Sequence, residues 1–166
     1  VRLHTYRHAF KQLGMPETVI ETEVMLAMQH FLTYRNKVEV PQEIHTFLSL
    51  LSNHFPLVAI SNGNVDTKVI GLAKYFQHIF HAGNGFQQKP ETDLFVAAFN
   101  KLNILPKQLL HVGDCGHADI KGAMRSGCQS AWLNCYDVGK PIKQLADIEL
   151  NQVTDLAKLL LPVTTK

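Results

Sequence analysis

Three polar signals follow one another along the chain, each at or near the end of a predicted strand. They are Ser61, Lys89, and an acidic loop that holds Asp114 and Asp119. A lysine can neutralise the charge that develops on a transferred phosphoryl group, and a carboxylate directly after an apolar strand can bind a hard cation. In this order the three signals predict a phosphoryl-transfer site, because that chemistry depends mainly on positioning and charge neutralisation.

The serine begins a Ser-Asn-Gly segment that can hold an anion. The Ser61 hydroxyl and the backbone amides of Asn62 and Gly63 can donate hydrogen bonds to phosphate oxygens. The same residue types also occur in ordinary turns, because Asn and Gly adopt turn conformations easily. Asp119 has a second interpretation as well, as an acid that stabilises a helix N-terminus. Phosphate binding by this segment is therefore a prediction that rests on all three signals together.

The elements that must position these residues alternate between strands and helices. Four short runs are predicted as strands: 57–60, 79–80, 109–112 and 130–133. The unbroken apolar run at 57–60 has the pattern of a strand buried on both faces. Helical periodicity recurs in four stretches: through Val69 and Leu72, and over 91–102, 118–126 and 154–161. This alternation predicts an α/β fold with a doubly wound, Rossmann-like parallel sheet, whose ligands bind beyond the carboxyl ends of the strands.

The region before the first strand is helical in pattern. Apolar residues recur at spacings of three and four over residues 1–54, which predicts three helices. Gly14 fits the end of the first helix, and Pro41 fits the start of the third. Residues 1–40 are therefore predicted as a small helical unit, and residues 41–166 as the α/β core.

Composition argues against several classes of protein. The 16 Lys and Arg residues are scattered and nearly balanced by 14 Asp and Glu residues, so we expect no nucleic-acid partner. No apolar run approaches the roughly 20 residues of a membrane-spanning helix, so we expect no membrane partner. The three cysteines match neither a paired framework nor a zinc site: Cys115, Cys128 and Cys135. Reduced thiols and a cytoplasmic protein are expected.

Taken in order, these motifs resemble those of the haloacid dehalogenase-like hydrolases. Ser61 resembles the second signature of that superfamily, Lys89 in Gln-Lys-Pro the third, and Gly113-Asp114 with Asp119 the fourth. The resemblance covers about residues 38–135. Within the superfamily, the chain is similar to small-cap bacterial phosphatases that act on sugar phosphates and on the flavin precursor 5-amino-6-(5-phospho-D-ribitylamino)uracil.

The resemblance implies a role for each matching residue. Ser61 is expected to bind the phosphoryl group, and Lys89 to bind both the nucleophile and the phosphate. Asp114 is expected to ligate Mg²⁺ directly, with Asp119 supporting the metal shell through water or Lys89. Residues 1–40 are implied to be part of the helical cap. The implied reaction is magnesium-dependent hydrolysis of a small phosphorylated metabolite through an aspartyl-phosphate intermediate.

One signature of the superfamily does not occur in these residues. Members carry Asp-x-Asp after their first strand, where the first Asp attacks phosphorus and the second protonates the leaving group. No two of the seven aspartates here are separated by a single residue. In the family sheet that strand lies between the strands that end at Ser61 and Asp114, so its loss predicts an open slot with unpaired backbone. The 166 residues alone are not expected to turn over a phosphate ester.

Two explanations of the missing signature and two other functions stay open. We expect a longer protein with an N-terminal segment, and the alternative is a naturally truncated, inactive relative. A non-catalytic binding or regulatory module of the same fold is the alternative function, and it accounts for the absent nucleophile. A 2-haloacid dehalogenase is a further alternative, against which the presence of both Asp114 and Asp119 argues.

Overall fold

The computed structural model describes residues 2–83, 85–135 and 146–161. The chain divides into two compact units, one formed by residues 1–40 and 65–71 and the other by residues 41–64 and 72–166. No helix in the described ranges has the length and apolar character needed to cross a membrane.

The first unit contains two helices, α1 (Arg2–Gln12) and α2 (Glu17–Arg35). Gly14 separates them at φ +74°, a left-handed conformation that glycine adopts without strain. Two ion pairs connect this pair of helices: Arg7 to Glu21, and Lys11 to Glu17 at 2.8 Å. With α3 of the second unit (Gln42–Ser52), the three helices predicted before the first strand are confirmed.

The helical stretch predicted through Val69 and Leu72 is wrong. Asp66 accepts hydrogen bonds from the amides of Lys68, at 2.8 Å, and Val69, which forms a single turn. Gly71 then adopts φ +75°, a conformation that ends a helical path. The only regular helix nearby is one turn of 3₁₀ helix at Ala73–Tyr75. The apolar spacing suited a helix, but a capped turn and a left-handed glycine interrupt it.

The second unit alternates strands with helices, as predicted. Its strands are β1 (Val58–Ser61), β2 (His78–His81), β3 (Leu110–Gly113), β4 (Gln129–Leu133) and β5 (Ile148–Leu150). Its other helices are α4 (Asp93–Leu102), a π-helical turn (Gly116–Ile120), α5 (Lys121–Arg125) and α6 (Leu156–Leu160), with 3₁₀ turns at Pro106–Gln108 and Val153–Asp155. The sequence pattern missed β5, because three residues are too few to show alternation.

All strand pairs are parallel, which confirms the predicted α/β class. β1 pairs with β2, and β3, β4 and β5 form a second sheet in that order. The larger sheet packs against α3 and α6 through Phe47, Leu51, Ala131, Leu150 and Leu156. Apolar contact of these side chains is the main source of stability for this side of the core.

The two sheets are separate, and a cavity of about 660 Å³ lies between β1 and β3. It is lined by β1, β3 and the helices around them, with Phe47 and Leu51 among its apolar walls. Every residue of β1 is only half-buried, which corrects the prediction that this strand is buried on both faces. The reason is the cavity, which we call the inter-sheet cavity, since no strand covers that edge of β1 within the described residues.

Candidate active site

The carboxyl ends of β1 and β3 bring together the residues that the sequence singled out. Ser61 is the last residue of β1, and Asp114 directly follows β3. Lys89 lies in the loop before α4, and Asp119 lies in the π-helical turn that follows β3. All four belong to the second compact unit. The polar residues therefore lie beyond the carboxyl ends of the strands, where an α/β fold is expected to bind its ligand.

Lys89 connects the two strand ends. Its Nζ donates a hydrogen bond to the backbone carbonyl of Ile60 at 3.0 Å and to Asp119 Oδ1 at 2.7 Å. The side chain is only 9% exposed, so the ion pair with Asp119 is shielded from solvent. A buried cation at this point can stabilise negative charge more strongly than one in water.

Asp119 has both carboxylate oxygens occupied by internal donors. Oδ1 accepts from Lys89 and from His111 Nε2 at 2.9 Å, and Oδ2 accepts from the Cys115 amide at 3.0 Å. Burial alone raises the pKa of Asp119, but the His111 hydrogen bond and the Lys89 charge outweigh burial and lower it to about 2. The residue is therefore an anion that holds its neighbours, and three of its roughly four acceptor sites are used by internal donors.

His111 is a member of this cluster that sequence reasoning missed. It lies within β3, is buried, and packs its ring edge-to-face against Phe95 at 4.9 Å between centroids. Because a carboxylate only accepts hydrogen bonds, His111 Nε2 carries the proton that bonds Asp119. Burial lowers the pKa of His111, while the hydrogen bond and charge of Asp119 oppose that change. The sequence did contain one signal for this residue, because a histidine inside the apolar run of a predicted strand is expected to be buried and hydrogen-bonded.

The Ser-Asn-Gly segment is held in place by its own side chains. The Gly63 amide donates to Ser61 Oγ at 2.9 Å, so this amide is already used and the serine hydroxyl proton is left to donate outward. Asn62 forms two hydrogen bonds with the Lys89 backbone, accepting from its amide at 2.7 Å and donating to its carbonyl at 2.9 Å. His81, in register with Ser61 on β2, bonds the Gly63 carbonyl through Nδ1 at 3.0 Å.

Asp114 differs from Asp119 in having a free carboxylate. Among the described residues, no hydrogen-bond or ion-pair partner contacts its side chain, whereas its backbone carbonyl accepts from Trp132 Nε1 at 3.0 Å. The described residues hold no group of three or more His, Cys, Asp or Glu side chains arranged for a metal ion. One free carboxylate still fits Mg²⁺, which keeps several waters and takes one or two protein carboxylates together with substrate phosphate.

Gly113 has a steric reason to be glycine. A Cβ at this position would lie 2.2 Å from Asp119 Cγ and 2.5 Å from its Oδ2. The Asp119 side chain therefore packs directly on the backbone of β3, which brings its carboxylate within reach of His111 and Lys89. The Gly-Asp pair of the acidic loop thus combines a close approach at Gly113 with a free carboxylate at Asp114.

Residues 2–133 match the family described as haloacid dehalogenase-like hydrolase, and the chain belongs to that family. It is 36% identical over 132 residues to the 5-amino-6-(5-phospho-D-ribitylamino)uracil phosphatase YigB of Escherichia coli (strain K12). It is also 27% identical over 163 residues to phosphoglycolate phosphatase of the same strain. The crystal structure of 2-haloacid dehalogenase from Pseudomonas syringae pv. Tomato DC3000 superposes with a TM-score of 0.87 at 28% identity, over 96% of this chain and 69% of that one.

The two curated relatives are longer than this chain. The match to YigB covers 80% of this chain and 56% of the relative, and the match to phosphoglycolate phosphatase covers 88% and 64%. Both matched proteins are named as phosphatases, while the superposed crystal structure is named as a dehalogenase. The family and the fold are thereby established.

Proposed function

We propose that this chain is the larger part of a phosphatase that hydrolyses a small phosphomonoester with Mg²⁺. The observation that carries the proposal is the position of Lys89 Nζ, bonded at once to the end of β1 and to Asp119 beyond β3. A buried cation held between two strand ends, one of which ends in a serine and the other of which is followed by a free carboxylate, suits a dianionic phosphoryl group. Residues 1–40 are proposed as part of the cap of this enzyme and residues 41–166 as its core.

Each side chain has a separate task in the proposed reaction. The Ser61 hydroxyl and the backbone N–H of Asn62 donate to phosphoryl oxygens, while the Gly63 N–H bonds the serine oxygen. Lys89 offsets the negative charge of the phosphoryl group and of the attacking carboxylate. Asp114 would hold Mg²⁺, which supplies charge neutralisation when bound. Asp119 keeps Lys89 in place.

The nucleophile of the proposed aspartyl-phosphate route has to come from outside these 166 residues. The inter-sheet cavity supports this view, because it lies between β1 and β3, whose facing edges have no strand partner in the described residues. Its lining includes Asp114 and also Ile60, whose carbonyl accepts from Lys89. A strand with an aspartate at its carboxyl end, placed there, would complete one continuous parallel sheet. The attacking carboxylate would then lie beside the Lys89 ammonium.

The substrate proposed first is a phosphorylated polyol or sugar, including the flavin precursor that YigB is named for. The likeness to YigB supports this choice. The three cysteines are free thiols, which is consistent with our proposal of a cytoplasmic enzyme. Phosphoglycolate is the second substrate to test, because the other curated relative is named for it.

A dehalogenase is the second candidate function, and the superposed crystal structure favours it. The unpartnered Asp114 carboxylate opposes it, because a 2-haloacid carries its own carboxylate and like charges repel at short range. A non-catalytic binding module is the third candidate. The three candidates differ in what they release: phosphate with Mg²⁺, halide without metal, or neither.

The test begins with the intact mass of the protein isolated from its source, compared with 18.7 kDa for this chain. Phosphate release from the substrates above is then measured with and without Mg²⁺, for the isolated protein and for the 166-residue chain. We expect a heavier, active protein and an inactive chain. Magnesium-dependent turnover by the chain alone would falsify the aspartyl-phosphate route, and halide release without metal would favour the dehalogenase.

A further inference from the structure

We propose that Trp132 is a positioning residue for Asp114, the candidate Mg²⁺ ligand. The inference rests on the proposed function, because it concerns how the metal-binding carboxylate is held. Packing under a helix is the plain interpretation of a tryptophan in a strand. The hydrogen bond of its indole adds a task that packing does not explain.

The β3–β4 ladder ends immediately before Asp114. Gly113 and Trp132 are the last paired residues, so Asp114 is the first residue beyond the sheet. Trp132 Nε1 donates to the Asp114 carbonyl at 3.0 Å. The indole therefore supplies the side-chain equivalent of one more ladder bond, at the point where the backbone bonds stop.

The peptide group between Asp114 and Cys115 is consequently held at both ends. Its carbonyl accepts from Trp132, and its N–H donates to Asp119 Oδ2 at 3.0 Å. A peptide group is planar, so two bonds of opposite polarity fix its rotation. The two bonds therefore fix ψ of Asp114 and φ of Cys115, and they limit the movement of the Asp114 Cα that carries the side chain.

The position of the Asp114 carboxylate depends on the hydrogen bond from Trp132 to the Asp114 carbonyl. No described residue contacts its side chain through a hydrogen bond or an ion pair, so nothing else orients it directly. Groups that orient a metal ligand from behind commonly change metal affinity by about ten- to hundredfold when they are removed. The indole N–H of Trp132 is such a group for the ligand proposed here.

Trp132 is also the only tryptophan of the chain, which makes the bond directly observable. A ¹⁵N-labelled chain gives one indole N–H signal. We expect this proton to exchange slowly with solvent, because the Asp114 carbonyl accepts it. An indole proton that exchanges as fast as free tryptophan would contradict the bond on which the proposal depends.

The decisive experiment uses Mn²⁺ as the probe and the 166-residue chain as the protein. Broadening of the Cys115 and Ala118 amide signals by Mn²⁺ is titrated, since broadening reports even weak binding. Trp132 is replaced by 3-benzothienylalanine, which keeps the ring shape and lacks the N–H, and in a second variant by Phe. We expect the apparent dissociation constant to rise about tenfold in both, with only a small drop in the unfolding midpoint of the benzothienyl chain, which loses one hydrogen bond and keeps its packing.

The outcomes separate this inference from the proposed function. Equal Mn²⁺ affinity of the wild-type and benzothienyl chains means that Trp132 only packs, and it overturns the inference while the metal site stands. Asp114→Asn is the matched control, and we expect it to abolish the broadening. Broadening that is absent from the wild-type chain, or equal in Asp114→Asn, overturns the metal role of Asp114 and this inference with it.

Discussion

The side-chain amide of Asn62 forms a reciprocal pair of hydrogen bonds with the backbone of Lys89. The distances are 2.7 Å from the Lys89 amide and 2.9 Å to the Lys89 carbonyl. The Oδ1 and Nδ2 atoms of Asn62 thus form the two hydrogen bonds that a residue of a neighbouring strand would otherwise form with the Lys89 backbone. The Ser-Asn-Gly segment and the lysine loop are joined at this point, 27 residues apart in sequence.

Asn62→Ala removes both bonds and leaves two half-buried backbone groups of Lys89 without partners. We expect the free energy of unfolding to fall by about 2 kcal/mol, in the range for unsatisfied polar groups. Urea denaturation measures the change. Asn100→Ala, at an exposed position of α4, is the matched control and should change stability by less than about 0.5 kcal/mol. Equal effects at both positions would show that the Asn62 pair is unimportant.

Lys89→Met leaves the buried Asp119 carboxylate without its nearest cation. Removing one partner of a buried ion pair typically costs about 3–5 kcal/mol, because the other charge is left uncompensated. We expect a loss of that size in denaturant unfolding, and a much smaller loss in the double variant Lys89→Met with Asp119→Asn. The exposed Lys101→Met is the control. A double variant no more stable than Lys89→Met would contradict the charge argument.

Acid should destabilise the fold in two stages. The pKa of His111 is lowered in the folded state, so the unfolded chain takes up a proton first and stability falls as the pH drops below about 6.5. The pKa of Asp119 is lowered from 3.8 to about 2, so a second loss of about 2 kcal/mol follows as the pH falls through that range.

His111→Gln tests the first stage, since glutamine keeps a donor and does not titrate. Urea unfolding between pH 7 and pH 4 should show a flatter dependence in this variant than in the wild type. The exposed His54→Gln should follow the wild-type curve. Parallel curves for His111→Gln and the wild type would mean that His111 does not contribute to the pH dependence.

Gly113→Ala tests the close approach of Asp119 to β3. The added Cβ would lie 2.2 Å from Asp119 Cγ, so the carboxylate has to move. We expect a loss of about 1–3 kcal/mol in unfolding free energy and a shifted Cys115 amide signal in NMR. Gly14→Ala is a useful contrast, because its Cβ meets open space and only its φ of +74° carries a cost. An unshifted Cys115 signal in Gly113→Ala would show that Asp119 keeps its place.

Most of the fold was predictable because strands and helices leave periodic patterns. The run before Ser61 and the apolar face of α4 gave their elements directly, and parallel pairing followed from the alternation of strands with helices. The turn at 67–71 was not predictable from spacing, because Asp66 and Gly71 decide it through a cap and a left-handed conformation. Short β5 gave no periodic signal.

The candidate site was predictable in membership and less so in arrangement. Residue types and order pointed to Ser61, Lys89, Asp114 and Asp119, and the chain brings all four to one edge. Residue type and spacing alone did not distinguish the free carboxylate of Asp114 from the hydrogen-bonded one of Asp119, and only the family resemblance gave the two residues different roles. That difference arises from contacts 8 to 30 residues apart, such as those from His111 and Lys89 to Asp119, and such contacts leave no mark on local spacing.

The unpaired edges of β1 and β3 have a consequence for how the chain opens. Ile60 offers its carbonyl on the open side of β1, and Lys89 Nζ is the group that bonds it. No strand lies between the two sheets in the described residues, so the hydrogen bonds of Lys89 Nζ to Ile60 and Asp119 connect the β1 side of the gap to the β3 side. Amide protons on the facing edges of β1 and β3 should exchange with deuterium sooner than those in the β3–β4 ladder. We therefore expect partial unfolding to start at the proposed catalytic centre.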